Sequence, residues 1–339
     1  MNGFRLLGHV VATLLMLLAG LWIAMALAYQ APGGVIGKTL LMAVGSATTL
    51  TAVWWVWRRE PSRALLLFGL MVALVLLWWT RIAPSNDRDW ADEVSHELAG
   101  QVKGSVVTLT NVRDFVWRSD TDYTPRWETR QYDLDRLSSV DVVASYWMGP
   151  AIAHTLVSFG FDDGRFLTFS IEIRKERTEQ FSAIGGFFKN FETSLIAADE
   201  RDILAVRANV RNEDVYLYRV NMTPEARRSL FLAYLDEAAA LSRTPQFYNT
   251  LTANCTTIVF EMAKHIVPGL PLDWRLLASG YLPGYLEDVG ALAPGYSLDE
   301  LRAAGRITQR SRAANQAADY SQAIRRGIPG MASGAPPAK

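Results

Sequence analysis

The sequence lacks a second cysteine: Cys255 is the single cysteine among 339 residues, so the chain forms no internal disulfide. Small secreted domains that cannot build a large apolar core depend on disulfides, but this chain is long enough to do without them. A lone thiol therefore needs its own explanation. It is either a small buried side chain, as most free cysteines are, or a reactive group.

An excess of charge of either sign is also missing. The 34 basic residues equal the 34 acidic ones, and no basic block stands out, so we predict no nucleic-acid partner. No set of metal ligands has suitable spacing around Cys255. Gly185-Gly186 is followed by two phenylalanines, which matches no phosphate-binding loop. We predict neither a metal ion nor another cofactor.

Long apolar runs near the N-terminus are what the sequence has in excess. Three runs without a charged residue, about 6–29, 39–57 and 64–80, hold 24, 19 and 17 residues. About 20 apolar residues cross the core of a bilayer, so we predict an anchor of three transmembrane helices in residues 1–83. A cleaved signal peptide is the alternative for the first run, although its apolar core exceeds the roughly 7–15 residues of a signal peptide.

Basic residues in two loops set the expected orientation of these helices. The loop between the second and third runs carries Arg58, Arg59 and Arg63, whereas the loop between the first and second carries only Lys38. The positive-inside rule then places the N-terminus in the cytoplasm and everything after Arg81 outside it. We therefore expect a multi-pass protein of the bacterial inner membrane with a periplasmic C-terminal domain.

Residues 84–326 mix β-rich runs with two helical patterns, which predicts an α+β domain. The last residues, 327–339, are rich in glycine, proline and alanine and are predicted to be disordered. The clearest strands and helices are predicted at 106–110, 140–145, 153–161, 165–173, 215–220, 223–242 and 255–267.

The strongest hairpin signal is Asp162-Asp163-Gly164, which lies between two β-rich runs. A three-residue loop with Gly164 in the left-handed conformation sets a register in which His154 lies directly opposite Glu172. Directly opposed side chains share one face of the sheet and lie close together. A two-residue loop would send Glu172 to the other face.

Cys255 follows Asn254, a good N-cap, at the start of a predicted helix. A helix N-terminus stabilises a thiolate and lowers the pKa of the thiol, as a nucleophile requires. The other three histidines lie in a membrane run, in the linker and further along the same helix. His154 is thus the candidate base and Glu172 the candidate acid that orients it, although a histidine on a strand is more often structural.

Several short motifs occur together in this part of the chain. The two most specific are Ala153-His154-Thr155 and Asn254-Cys255-Thr256-Thr257. With the stretches 86–90, 111–115, 132–134, 171–174, 200–202, 248–250, 281–285 and 324–326, they make residues 84–326 resemble a bacterial envelope family. It is the Lnb N-terminal periplasmic domain family, named for the lipoprotein intramolecular transacylase and long catalogued as a domain of unknown function.

The resemblance implies a permuted papain-like (NlpC-type) cysteine domain. By that likeness Cys255 is the nucleophile, His154 the base and Glu172 the orienting acid. In the transacylase, the cysteine would take an acyl chain from the glyceryl group of a lipoprotein and pass it to the N-terminal amine. Asn254 is a candidate for stabilising the oxyanion, beside the Cys255 backbone N–H. Candidates for binding substrate are Arg174, Arg201, Arg207, Tyr248 and Asn249.

The expected function is that of a thiol acyltransferase or hydrolase that acts on a lipoprotein or phospholipid acyl chain at the lipid bilayer. Two alternatives stay open: a cell-wall amidase or peptidase that acts on peptidoglycan with the same nucleophile, and a non-catalytic envelope assembly protein. The aromatic-rich stretch 181–191 either lines an acyl-chain groove, dips into the bilayer or packs in the core.

The topology can be tested with reporters fused after Gly327. We expect a fusion to alkaline phosphatase, which is active only outside the cytoplasm, to be active, because the arginine-rich second loop holds its end of the bundle inside. We expect a fluorescent protein that folds only in the cytoplasm to be dark at the same position. Fluorescence without phosphatase activity would contradict the predicted orientation.

Overall fold

A computed structural model of the protein describes residues 3–331, which divide into two compact units. The first unit comprises the chain up to Ser85 together with Phe181–Phe191, and the second comprises the remainder. The secondary structure confirms the α+β class and the three apolar helices near the N-terminus. The sequence did not indicate that Phe181–Phe191 would group with these helices.

The first unit is built on α1 (Gly3–Gln30), α2 (Gly34–Trp57) and α3 (Pro61–Arg81). Each is long and apolar enough to cross a membrane. Small residues let α1 and α2 approach closely: a Cβ added at Gly20 would lie 2.6 Å from Thr49 Cγ2. Close backbone approach through small residues is typical of helix packing in membranes.

The second unit is built around a sheet of eight strands, ordered β1-β2-β9-β8-β7-β6-β10, with β5 paired to β2. All pairs are antiparallel except β2 with β9. β3 and β4 form a separate two-stranded sheet. The strands are β1 (Ala99–Lys103), β2 (Val106–Arg113), β3 (Val116–Trp117), β4 (Tyr123–Thr124), β5 (Trp127–Asp133), β6 (Leu137–Met148), β7 (Ile152–Phe161), β8 (Phe166–Arg174), β9 (Glu192–Ala198) and β10 (Asp214–Val220).

Helices cover both faces of this sheet. On one face the rings of Phe159 and Phe169 meet Phe231 of α5, in a cluster that also contains Cys255. On the other face, a second cluster contains Leu156. The helices of this unit are α4 (Glu200–Ala205), α5 (Pro224–Arg243), α6 (Thr257–Ile266), α7 (Leu282–Asp288), α8 (Leu298–Gly305), α9 (Thr308–Ala313) and α10 (Tyr320–Arg325).

The predicted hairpin register is confirmed. Gly164 has a φ of 82°, in the left-handed region that glycine tolerates, and the turn holds three residues. The strands pair from Gly160 with Phe166 to Leu156 with Ser170. His154 and Glu172 follow in this register, two residues beyond the last pair on each strand.

Two predictions need correction. The helix expected directly after Asn254 begins at Thr257, because Asn254 lies in a bend and Cys255 and Thr256 form a turn before it. The predicted disordered tail, 327–339, is wrong for its first residues, because the apolar side chains of Ile328 and Met331 are buried in the second core cluster. The remainder of that stretch, 332–339, lies outside the described residues.

Candidate functional site

Side-chain amides build the turn that presents Cys255. Asn249 pairs with Ala253 through two backbone hydrogen bonds of 3.0 Å, which closes a short loop ahead of the cysteine. The Asn254 Oδ1 atom accepts hydrogen bonds of 2.9 and 3.0 Å from the backbone N–H groups of Thr256 and Thr257. Asn254 therefore caps the first turn of α6 from two residues before its formal N-cap.

The amide nitrogen of Asn254 is also engaged, since it donates to the carbonyl of Thr250 at 2.9 Å. The predicted oxyanion role of this side chain would require that bond to break. The backbone N–H of Cys255 faces Tyr248 instead, and it donates to the Tyr248 hydroxyl. Burial, followed by the charges of Cys255 and Glu172, raises the pKa of Tyr248, so the hydroxyl keeps its proton.

The Cys255 thiol is buried, with 6% of the residue exposed. Its sulfur accepts a hydrogen bond of 3.4 Å from the Thr155 backbone N–H and lies 3.9 Å from the Thr256 hydroxyl. Burial alone would raise the pKa of the thiol. The charge and hydrogen bond of His154, together with the Thr155 bond, more than offset burial and lower the pKa of Cys255 below its usual value.

The His154 imidazole lies between this thiol and a carboxylate. Its Nε2 atom lies 2.7 Å from the Ser170 hydroxyl and 3.2 Å from the Glu172 carboxylate, which leaves Nδ1 to bond the sulfur. Burial and the Arg207 charge favour the neutral ring. Glu172 and Cys255 outweigh them and raise the pKa of His154 to about 9, so the ring is protonated at neutral pH.

A buried guanidinium supports the carboxylate from behind. Arg207 donates to Glu172 at 2.7 Å and to Glu213 at 3.3 Å, and Glu213 in turn accepts a 2.5 Å bond from Ser145. Burial would raise the pKa of Glu172, but His154 and Arg207 hold it well below its usual range. Arg207 lies in a π-helical turn, Val206–Val210, a conformation that often marks functional sites.

The structure thus brings together three of the predicted residues, Cys255, His154 and Glu172, with Arg207 and Tyr248 beside them. Asn249 shapes the loop before the cysteine, and its side chain accepts bonds from two backbone N–H groups there.

Two predicted substrate-binding residues are engaged elsewhere. Arg174 is buried and bonds the carbonyls of Val94 and Ser95 and the Glu97 carboxylate. Arg201 pairs with the buried Asp114. Both arginines form salt bridges, which is a commoner role for an arginine side chain than binding a substrate.

Sequence reasoning missed Ser170, whose hydroxyl lies between His154 and Glu172 and donates to the carboxylate at 2.7 Å. Its position two residues before Glu172 on the same strand was the available signal, because alternate residues of a strand share a face. Within residues 3–331, no cluster of three histidine, cysteine or acidic side chains is arranged to hold a metal ion.

Comparison with known proteins gives one match. Residues 123–280 match the family model described as the Lnb N-terminal periplasmic domain. This range contains all the site residues named above. No curated protein and no solved structure matches the chain.

Replacing Arg207 by methionine should destabilise the domain by about 3–5 kcal/mol at neutral pH, because Glu172 and Glu213 would stay buried without their shared cation. The folded state holds the pKa of Glu172 low, so its contribution is present above the unfolded pKa of about 4.3 and is lost as pH falls. The loss caused by Arg207→Met should therefore shrink in acid. Urea unfolding of the detergent-solubilised protein at several pH values measures it.

Arg201→Met is the matched control for this substitution. Asp114 also pairs with Arg126 and Arg130, so losing one half-exposed arginine should cost less than about 1 kcal/mol. Equal losses for Arg207→Met and Arg201→Met, or a loss independent of pH, would show that Arg207 does not hold the carboxylates ionised.

The alkylation rate of Cys255 by iodoacetamide should rise with pH through a midpoint below the ~8.5 of a free thiol. Glu172→Gln removes the charge that holds His154 protonated, so the midpoint should move up by about one pH unit. Glu176→Gln, which removes a half-exposed carboxylate paired with Arg88, should leave it unchanged. An unshifted midpoint in Glu172→Gln would show that the Glu172 carboxylate does not influence the pKa of the Cys255 thiol.

Proposed function

We propose, from the match of residues 123–280 to the Lnb N-terminal periplasmic domain family, that the protein is a membrane-anchored thiol acyltransferase or hydrolase. The proposed substrate is an acyl chain of a lipoprotein or phospholipid. The family match and the three apolar helices fit a membrane-anchored envelope protein with a periplasmic domain. The orientation with a cytoplasmic N-terminus in the bacterial inner membrane is part of the proposal.

The observation that carries this proposal is the arrangement of Cys255, His154 and Glu172. A thiol with a lowered pKa beside an imidazole with a raised pKa favours a thiolate–imidazolium pair, and the thiolate is the nucleophilic form of cysteine. Glu172 bonds the imidazole nitrogen opposite the sulfur, which is the role of the acid in a catalytic triad. A buried structural cysteine has no need of this electrostatic support.

The proposed chemistry has two steps. The Cys255 thiolate attacks the acyl carbonyl carbon, the ester C–O bond breaks, and the leaving alcohol takes its proton from the His154 imidazolium. A thioester to Cys255 remains. An amine or water then attacks the thioester, His154 accepts its proton, and the acyl product leaves as an amide or acid while the thiolate is restored. The backbone N–H of Cys255 is the proposed oxyanion donor, which requires it to exchange its bond to the Tyr248 hydroxyl for one to the oxyanion.

The proposed fold is a permuted papain-like domain. Two features support it: a largely antiparallel sheet lies at the centre of the unit, and the strand that carries the histidine precedes the helix that follows the cysteine. β7 carries His154, and α6 begins two residues after Cys255. In a permuted papain-like domain the histidine strand comes before the cysteine helix, which is the order found in this chain.

Incubation with a diacylglyceryl lipopeptide or a phospholipid in detergent micelles should acylate Cys255, and mass spectrometry of the intact protein measures the adduct. Cys255→Ala should abolish acylation, and His154→Ala should slow it by at least about 10²-fold, because the base activates the nucleophile. The double variant should be no worse than Cys255→Ala alone, since the two residues act as a unit. Glu172→Gln should slow acylation less than His154→Ala does.

The same experiment with peptidoglycan fragments tests the alternative substrate. Cleavage of these fragments that depends on Cys255, without acylation by lipids, would overturn the lipid substrate and favour the amidase. Inertness of Cys255 toward iodoacetamide in the folded protein would overturn catalysis and favour an assembly role.

A further inference from the structure

The segment Phe181–Phe191 connects β8 with β9, yet it packs on the ends of two apolar helices. At the end of α1, the Tyr29 hydroxyl lies 3.1 Å from the Ser182 hydroxyl. The rings of Tyr29 and Phe188 stack with centroids 5.5 Å apart and planes 5° from parallel. Gln30 donates to the carbonyls of Phe188 and Lys189 at 3.1 and 2.8 Å.

Lys189 fastens the segment to the end of α3. Its ammonium donates to the carbonyls of Trp79 and Ile82 at 2.8 and 3.1 Å and lies 5.0 Å from the centre of the Trp79 ring. The last carbonyls of a helix have no partners within it, and a cation there satisfies both their hydrogen bonding and their partial negative charge. The segment is therefore bound to α1 and α3 by both hydrogen bonds and a cation.

Apolar side chains in and beside a short helical turn, Gly185–Phe187, are exposed. Ile184 is 54% exposed and Phe187 is 45% exposed, with Phe181 also 54% exposed. Lys189 is the single charged residue of the segment. If these helices cross a bilayer, an apolar turn fixed beside their aromatic ends lies at the depth of the bilayer interface, where such side chains partition into lipid.

We propose that Phe181–Phe191 is an interfacial segment whose Ile184 and Phe187 side chains enter the outer leaflet of the membrane that α1–α3 cross. Its partner is the boundary between phospholipid headgroups and acyl chains. This inference goes beyond the proposed function, because it requires the helices to span a bilayer in the proposed orientation but does not require Cys255 to be catalytic.

The test uses the full chain in lipid nanodiscs. Because Cys255 is the single cysteine, Cys255→Ser gives a background in which Ile184→Cys and Phe187→Cys each take one environment-sensitive fluorophore. Phospholipids brominated high in the acyl chain should quench both labels at least twofold more than they quench a label at Lys103→Cys, an exposed charged position. Phospholipids brominated near the bilayer centre should quench Leu74→Cys, an exposed position within α3, more than either segment label.

Two results would overturn the proposal. One is bromine quenching at Ile184 and Phe187 no greater than at Lys103. The other is a label shielded from both bromolipid and aqueous iodide, which would indicate a protein partner on this surface. Quenching of the label at position 184 and of the label at position 187 is measured in separate variants. Only variants whose thermal unfolding matches that of the Cys255→Ser parent are compared, because these retain the native fold. Since every variant lacks the thiol, the outcome is independent of whether the acylation experiment succeeds.

Discussion

Gly164 adopts a backbone φ of 82°, which allows the chain to reverse in three residues between β7 and β8. The register that follows from this turn pairs Leu156 with Ser170 and places His154 and Glu172 on one face. A slip of one residue would move every side chain of β8 to the opposite face of the sheet. The buried charges of the site therefore depend on the conformation of a turn about ten residues away along the strand.

The charges beyond this pair alternate in sign. The order is Cys255, His154, Glu172, Arg207 and Glu213, and each contacts its neighbours in that order. Removing an ion from water costs several kcal/mol, which a single partner rarely offsets in a buried site. Alternation gives each internal member two partners of opposite sign, so the loss of one member affects the rest of the row. The pKa directions at Cys255 and His154 are thus properties of the whole row.

Local patterns predicted much of this arrangement. The apolar runs predicted the three helices, and the hairpin turn predicted the register that brings His154 to Glu172. Arg207 was a candidate for binding substrate, with a salt bridge as its commoner role, but its position behind Glu172 was not predicted, because it depends on packing between elements distant in sequence. The same holds for Phe181–Phe191, whose attachment to the apolar helices depends on contacts with residues about 100–160 positions away.

The start of α6 changes the physical account of the thiol. Sequence reasoning assigned the lowered pKa of Cys255 to a helix N-terminus, but the helix begins at Thr257 and the sulfur accepts its backbone hydrogen bond from Thr155 of β7. Thr155 directly follows His154, so the hydrogen-bond donor and the imidazole are borne by consecutive residues of one strand. A displacement of β7 relative to the turn at Cys255 would weaken both interactions together. The strand, which the hairpin turn and its neighbours in the sheet hold in register, is therefore the element that lowers the pKa of the thiol.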